Sequence, residues 1–480
     1  MKATVPPTAR ACLTGALFVA LLAVAWAVIS EPAAGKSPLD RLSLLALLKA
    51  GKYDNLDRYL GRLQEDYERG DQGEAKLENA FASFASADPD LQARLDAWIG
   101  RRPQSFAARL ARGEYYRHLA RISLRNGSPE SEADDHSGAA NERLSLARRD
   151  VEAAIERRPR LGIAYATLIH IAMAENAGDQ ADRWFSLGLE ADPGSASLRR
   201  AYLLSLRPWR RPDQDPVELM AKLDELVQDL GGAHAGAPDL AALRGFRAYV
   251  TAELLRRQRR YSQAAHYYRE ALAQGSDPLY LRGAGINALH SANAVSAVGF
   301  FSEALALRPQ SPALLDWRAH ALWSLGNHET ALADWRLALS IDPGNPDILY
   351  GYAQGLRDRG QAELAAEVLS HAAHFALDNA QLRGLRGHML LRELDRPGDA
   401  IADLRFAVER DPHADDSWRA YAEALYRSND CDGAAKAIIA YQRLCTNGTK
   451  CSDNDVAWAR NALRGTRDPD ICPVYGILGP

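Results

Sequence analysis

Lysine, cysteine and cofactor-binding motifs are scarce or missing in this 480-residue chain. The charges nearly balance, with a net charge of −4, so composition gives no reason to expect attraction to nucleic acid or anionic lipid. The sequence contains no glycine-rich dinucleotide fingerprint, P-loop or nucleophile elbow. We therefore predict no cofactor, no metal site and no catalytic residue, and we expect a protein that is not an enzyme.

The one long apolar run lies at the N-terminus. Lys2 and Arg10 precede this run, which covers residues 11–29 and is close to the length that spans a bilayer. The basic residues before it and Glu31 after it place the rest of the chain outside the cytoplasm. We predict that residues 1–36 are an export signal, either kept as an inner-membrane anchor or cleaved to release a secreted protein. The expected location is the periplasm.

Beyond that run the chain repeats itself every 34 residues. Pro309 and Pro343 are 34 residues apart, and similar residues precede each of them at the same distances. Before Pro343 these are Ala319, Leu322, Gly326, Ala331, Trp335 and Ala338, and before Pro309 they are Gly285, Ala288, Ala292, Ala297, Phe301 and Ala304. Small residues let two helices approach closely, and large ones fill the gaps between them. The same spacing separates Pro159 from Pro193.

This pattern resembles the tetratricopeptide repeat, in which each unit is a pair of antiparallel helices. The resemblance implies an all-α fold, a right-handed α-solenoid, with tandem repeats over residues 245–448. A solenoid of this kind offers an extended surface rather than an enclosed catalytic pocket. Residues 449–480 are expected to form a capping helix and a cysteine-rich tail, and we predict that disulfides staple this C-terminal cap.

Four of the five cysteines lie in the last 50 residues, at Cys431, Cys445, Cys451 and Cys472. In an exported chain such clustering indicates two disulfides, while a zinc site has no C-x-x-C pair to support it. A helix between Cys431 and Cys445 would hold them about 20 Å apart, too far to bond. A following antiparallel helix over residues 453–463 would bring Cys472 back toward Cys431. We therefore predict Cys445–Cys451 and Cys431–Cys472 bonds.

The first half resembles a more specific family, the bacterial domain of unknown function 4034. The similar segments are residues 47–54, 95–98, 107–116 and 199–209. The last of them departs from the family pattern, because Pro208 and Trp209 are followed by two arginines where the family tends to have glycines. The cysteine-rich tail also looks like the end of such proteins. The resemblance implies a divergent helical-repeat domain over residues 37–244 and carries no known activity.

Two stretches are predicted to interrupt this domain as inserts. Residues 126–142 are polar and are expected to form a solvated loop. Residues 206–216 contain a Pro-Trp-Arg-Arg-Pro run and are expected to be irregular.

The candidate binding surface is the concave groove, which the first helix of each repeat lines at recurring positions. Those positions hold Tyr249, Glu253, Arg256, Arg282, His290, Asp316, His320, Trp323, Tyr350, Gln354 and Arg357. Mixed aromatic and charged side chains suit recognition of an extended peptide or a partner helix. The alternative for any one of them is an ordinary solvated or inter-helix role.

These observations favour an exported scaffold that binds another protein or an extended peptide in the cell envelope, with no chemical step. The alternative is a periplasmic subunit of a polysaccharide assembly or export system, in which groove tryptophans would face sugar. An enzyme is the least favoured class.

Overall fold

The fold is a long array of helices. The computed structural model describes residues 41–126, 134–207, 214–229, 242–375, 379–446 and 453–466. Within these ranges every regular element is an α-helix or a short 3-10 segment. The predicted export signal, residues 1–36, lies outside them.

Four helices precede the repeats. They are α1 (Arg41–Lys49), α2 (Tyr53–Arg69), α3 (Ala75–Phe81) and α4 (Asp90–Arg101). Trp98 of α4 is fully buried, stacks on Tyr53 with ring centroids 6.3 Å apart, and contacts Phe84 at 5.9 Å. These aromatic side chains give the N-terminal helices a core of their own, which continues into the first repeat.

Consecutive helices are numbered here as nine pairs in chain order within the described ranges, although the second helix of pair 3 packs mainly on the first helix of pair 4. Pairs 1 to 3 are α5 (Phe106–Asn126) with α6 (Asp134–Arg157), α7 (Gly162–Ala174) with α8 (Gly178–Ala191), and α9 (Ala196–Ser205) with α10 (Pro216–Asp229). Pairs 4 to 6 are α11 (Phe246–Arg257) with α12 (Tyr261–Ala273), α13 (Pro278–His290) with α14 (Ala294–Leu307), and α15 (Pro312–Ser324) with α16 (His328–Ile341). Pairs 7 to 9 are α17 (Pro346–Asp358) with α18 (Ala362–Phe375), α19 (Ala380–Arg392) with α20 (Pro397–Arg410), and α21 (Asp415–Arg427) with α22 (Cys431–Thr446), and α23 (Asp453–Gly465) follows them.

The predicted α-solenoid is confirmed, and the residues that define the repeat are its core. Ala319, Ala331 and Ala338 are fully buried, and Trp335 is 2% exposed. Each pair packs on the next through such positions, so the core runs along the array as a line of neighbouring clusters.

Helix starts explain why the units divide where they do. Pro278, Pro312 and Pro346 each occupy the first turn of a first helix, where a missing backbone N–H costs nothing. The side chains of Asp277 and Asn345 cap two of these helices by accepting backbone N–H bonds. The sequence therefore ends one repeat and begins the next within a few residues.

The prediction of a loop over residues 126–142 is wrong for residues 134–142. Helix α6 already begins at Asp134, and α5 continues to Asn126. Ala140 of α6 is fully buried, so packing of this helix outweighs the polar composition of the stretch. In the second predicted insert, 206–216, residues 208–213 lie outside the described part, and α10 begins at Pro216.

The predicted capping helix is present as α23, close to the expected bounds. Cys431 begins α22 and Cys445 lies near its end, consistent with their predicted separation. Cys451 and Cys472 lie outside the described residues, so both disulfide bonds stay predictions. Among the described helices none is long and apolar enough to cross a membrane.

A left-handed residue joins the two helices of most pairs, and it provides a test of the repeat geometry. Ala292 has φ 56°, a conformation that costs a residue with a Cβ about 1–2 kcal/mol, whereas Gly326 occupies the equivalent turn at φ 80°. We expect Ala292→Gly to stabilise the protein by about 0.5–1 kcal/mol and Gly326→Ala to destabilise it by about 1 kcal/mol. Urea unfolding of both variants measures this, and destabilisation by Ala292→Gly would contradict it.

Candidate binding surface

Most of the predicted groove residues reach solvent. Those at least partly exposed are Arg256, Arg282, His290, His320, Trp323, Tyr350, Gln354 and Arg357. They lie on the first helices of pairs 4 to 7, and these first helices contact one another in sequence. The face they share is the inner face, the surface that the first helices form.

Three predicted groove residues are instead buried, so the prediction is wrong for them. Tyr249 is 2% exposed and stacks on Tyr280 with ring centroids 5.3 Å apart. Glu253 is 7% exposed and accepts hydrogen bonds from Tyr268 and Arg256. Each side chain fills space between helices, where apolar burial or a buried hydrogen bond holds it.

Asp316, 8% exposed, is the third of these residues. Its Oδ1 accepts a 2.8 Å hydrogen bond from the Trp335 indole Nε1. A buried indole N–H needs such a partner, so Asp316 serves the core of pair 6. It cannot contact a ligand unless this packing opens.

Aromatic side chains border the inner face at pairs 6 and 7. The His320 ring meets Trp335 edge-on at 5.1 Å, and Trp323 lies 5.8 Å from Trp335. On α17, Tyr350 is 37% exposed and accepts a 2.9 Å hydrogen bond from Gln354 Nε2. This part of the face thus combines half-buried rings with exposed polar groups.

The sequence reasoning missed a second feature, which we call the N-terminal seam. It is the run of polar contacts from residues 64–88 to the turns that separate successive pairs. Gln64 donates to the Arg160 carbonyl, Tyr67 to Asp192, Asn79 to the Leu307 carbonyl, and Ser86 to the Ile341 carbonyl, while the Ala87 N–H donates to Asp342. The N-terminal helices therefore touch turns spread over pairs 1 to 6.

Glu78 connects the seam to two arginines of distant repeats. Arg200 donates to its carboxylate at 3.1 Å, and Arg308 bonds the other oxygen. Burial would raise the pKa of Glu78, but the two arginines outweigh it and lower that pKa to about 2. Arg200 also pairs with Asp277 at 3.1 Å, so one network joins α3 to pairs 3, 5 and the turn between pairs 4 and 5.

Glu74 lies one helical turn from Glu78, and its carboxylate has different hydrogen-bond donors. Its carboxylate accepts 2.8 Å hydrogen bonds from Ser195 Oγ and the Ser197 backbone N–H, at the N-terminus of α9. No cation pairs with it among the described residues, and burial raises its pKa to about 7.

The seam ends at Asp342, where the end of pair 6 contacts pair 1. His118 of α5 lies 3.1 Å from Asp342, which follows α16, and both side chains are buried. Burial opposes the charge of Asp342, but His118, Asn345 and the Ala87 N–H outweigh it and lower the pKa of Asp342 to about 2. Pair 1 therefore touches the end of pair 6, and the N-terminal helices fill the space between them.

The sequence contains no periodic signal for the seam, because its contacts join residues up to 255 positions apart. The turns along pairs 1 to 6 are engaged by the chain's own N-terminal helices, and within the described residues the polar contacts of the seam reach no further along the chain than Asp342. The described residues also contain no group of three or more His, Cys, Asp and Glu side chains placed to hold a metal.

Stacked helix pairs with one lined inner face define an α-helical repeat protein. Family models agree and name the repeats. Residues 249–312, 322–389 and 389–448 match tetratricopeptide repeat models, and residues 40–209 match domain of unknown function 4034. The first half of the chain is thus similar to that family and the second half to tetratricopeptide repeats, as the sequence predicted. No curated protein matches it.

Several solved structures are similar over part of the chain. MamA from Desulfovibrio magneticus is 20% identical, covers 37% of this chain and 99% of its own, and has a TM-score of 0.33. YrrB, described as a TPR protein with an unusual peptide-binding site, is 16% identical over 41% of this chain and 99% of its own, with a TM-score of 0.33. A tetratricopeptide repeat protein from Parabacteroides merdae is 14% identical over 55% and 99%, with a TM-score of 0.35. Likenesses at this level add nothing to the family matches.

The seam predicts a large and pH-dependent effect of Glu78→Gln. At neutral pH the substitution leaves two partly buried arginines without their shared carboxylate, and we expect a loss of about 2–3 kcal/mol. Because the pKa of Glu78 falls from 4.5 to about 2 on folding, its contribution is present above pH 4.5 and is lost as pH falls toward 2. Urea unfolding at neutral and acid pH should show the gap between wild type and variant closing.

Glu270→Gln is the matched control, since Glu270 is exposed on α12. We expect it to change stability by less than about 0.5 kcal/mol at either pH. Equal effects of the two substitutions at neutral pH would mean that the seam contributes little.

Proposed function

We propose that the protein is a scaffold that binds another protein, or an extended peptide, along the inner face of its repeats without a chemical step. Tetratricopeptide repeats imply interaction with proteins, and the proposal adds where the interaction occurs. The observation that carries it is the row of partly exposed side chains on successive first helices, among them Arg282, Trp323, Tyr350 and Arg357. A row of this kind suits an extended ligand that crosses several repeats.

The part of the inner face on pairs 6 and 7 is the proposed centre of this surface. Trp323 and Tyr350 offer aromatic area at low entropy cost, and Arg357 offers charge. The only ion pair of Arg357 in the described part of the chain is with its neighbour Asp358, at 3.4 Å between partly exposed side chains. Such a contact contributes little to stability and can be exchanged for a partner's group.

The proposed location is the cell envelope, outside the cytoplasm. Its support is the basic residues before the apolar run 11–29, and the clustering of four cysteines near the C-terminus. Within the envelope a second candidate function is contact with a polysaccharide. The partly exposed rings of Trp323 and Tyr350 favour it, because sugars stack on aromatic faces.

Affinity capture from envelope extract tests the binding surface. We expect the combined variant Trp323→Ala with Arg357→Glu, and Arg357→Glu alone, to lose the partner that wild type captures. The matched control is Leu364→Ala with Arg405→Glu, which removes an exposed leucine and reverses an exposed arginine on second helices. Retention of the same partner by all variants would place binding elsewhere. Displacement of that partner by envelope polysaccharide would favour the second candidate.

A peptide map of the non-reduced protein tests the proposed cap and its oxidising compartment. We expect Cys445 joined to Cys451 and Cys431 joined to Cys472 in protein purified from the envelope. The map of protein kept in the cytoplasm by deletion of residues 1–36 is the control and should show free thiols. A Cys431–Cys451 bond would refute the predicted pairing.

A further inference from the structure

The side chains of His320, Trp323 and Tyr350 form an aromatic patch on the inner face, and all three reach solvent. His320 and Trp323 lie on α15 and Tyr350 lies on α17, and these two helices are in contact. A Cβ added at Gly351 would lie 3.2 Å from the His320 ring, and one added at Gly355 would lie 3.2 Å from the Trp323 ring. Helix α17 can approach these rings because both positions lack a side chain. Tyr350 is next to Gly351 in the chain, so the three rings share one part of the surface.

Packing orders the aromatic patch on its buried side. The His320 ring meets the buried Trp335 edge-on at 5.1 Å. The Trp323 ring lies 5.8 Å from the Trp335 ring and 4.1 Å from the His328 ring. A ligand would therefore meet rings that are already held in place, so little side-chain entropy is lost on binding.

Two polar hydrogens of the aromatic patch have no acceptor among the described residues. One is the indole N–H of Trp323, whereas the buried Trp335 indole donates to Asp316. The other is the hydroxyl hydrogen of Tyr350, which accepts a hydrogen bond from Gln354 but donates none within these residues. Tryptophan and tyrosine at interfaces combine an apolar ring with a polar group that seeks a partner. The patch therefore offers ring area together with hydrogen-bond donors.

The helices that carry the aromatic patch supply few backbone acceptors to a ligand. Within α15 and α17 the backbone C=O groups are used by hydrogen bonds along each helix. The N–H groups of an ordinary extended peptide would therefore depend on water or side chains for acceptors. A proline-rich segment avoids this requirement, because proline has no backbone N–H. Its polyproline II conformation is preformed, exposes its carbonyls and suits surfaces lined by aromatic side chains.

We propose that the aromatic patch binds a proline-rich segment of the partner protein. This inference rests on the proposed function and names the chemical class of the partner. Proline rings of the segment would pack on Trp323 and Tyr350. Its carbonyls would accept hydrogen bonds from the Trp323 indole N–H and the Tyr350 hydroxyl.

A fluorescent decaproline peptide tests the proposal with the full chain, and a glycine–serine peptide of equal length is the flexible probe. We expect decaproline to bind, the glycine–serine peptide not to bind, and binding to persist as salt rises because it involves no ion pair. Trp323→Phe should weaken binding about three- to tenfold, since it keeps an aromatic ring and removes the N–H. Tyr350→Ala removes a ring at an exposed position and should weaken binding about tenfold.

Trp184→Phe is the matched control. Trp184 is also partly exposed, and its indole N–H has no acceptor among the described residues. It lies on a second helix, α8, and has no ring contact within the described part of the chain. We expect this variant to bind decaproline as wild type does. Thermal unfolding of each variant confirms that it is folded.

Three results would overturn the inference: equal binding of the glycine–serine peptide, unchanged affinity of both Trp323→Phe and Tyr350→Ala, or binding of cellohexaose but not decaproline. The last result would assign the aromatic patch to sugar. The envelope partner separates this inference from the proposed function. Loss of that partner from the Trp323→Ala and Arg357→Glu variant, with no competition from decaproline, would leave the scaffold in place and remove the proline-rich class.

Discussion

The contact between Glu78 and two arginines fixes the N-terminal helices to distant repeats and so determines which surfaces a partner can reach. Arg200 and Arg308 lie 108 residues apart in sequence, and the shared carboxylate fixes both to α3. In an open solenoid each repeat contacts only its neighbouring repeats. Here a helix from outside the repeat array joins distant repeats directly, and the contact between His118 and Asp342 brings pair 1 to the end of pair 6. The curvature of the first six pairs is therefore held by buried polar contacts as well as by packing.

This arrangement also separates the charged side chains that stabilise the fold from those that a partner can contact. Glu78 and Asp342 of the seam are paired within the chain, at the cost of removing them from water. Tyr350 and Arg357 lie beyond Asp342, the last contact of the seam, and their polar contacts are an exposed hydrogen bond from Gln354 and an ion pair with the neighbouring Asp358. A partner can therefore gain from these side chains without displacing the N-terminal helices. The family-model boundary at residue 209 does not mark a physical border, because the domain before it makes contacts as far as Asp342.

The repeats could be predicted from sequence because their determinants are local. Pro346 starts a helix and Ala338 permits a close crossing, and each effect acts within one repeat unit. The seam could not be predicted, since Ser86 and Ile341 meet only after six repeats have stacked. The groove was predicted by position alone, which cannot tell an exposed residue from a buried one. Asp316 occupies a groove position but is buried because the indole of Trp335 needs an acceptor.

Hydrogen exchange of the full chain, with and without the captured partner, tests the central claim most directly. The account predicts that the partner slows exchange on the first helices between Pro278 and Arg392 and leaves α3 unchanged. Protection confined to second helices, or faster exchange in α3 as the partner displaces the N-terminal seam, would contradict it.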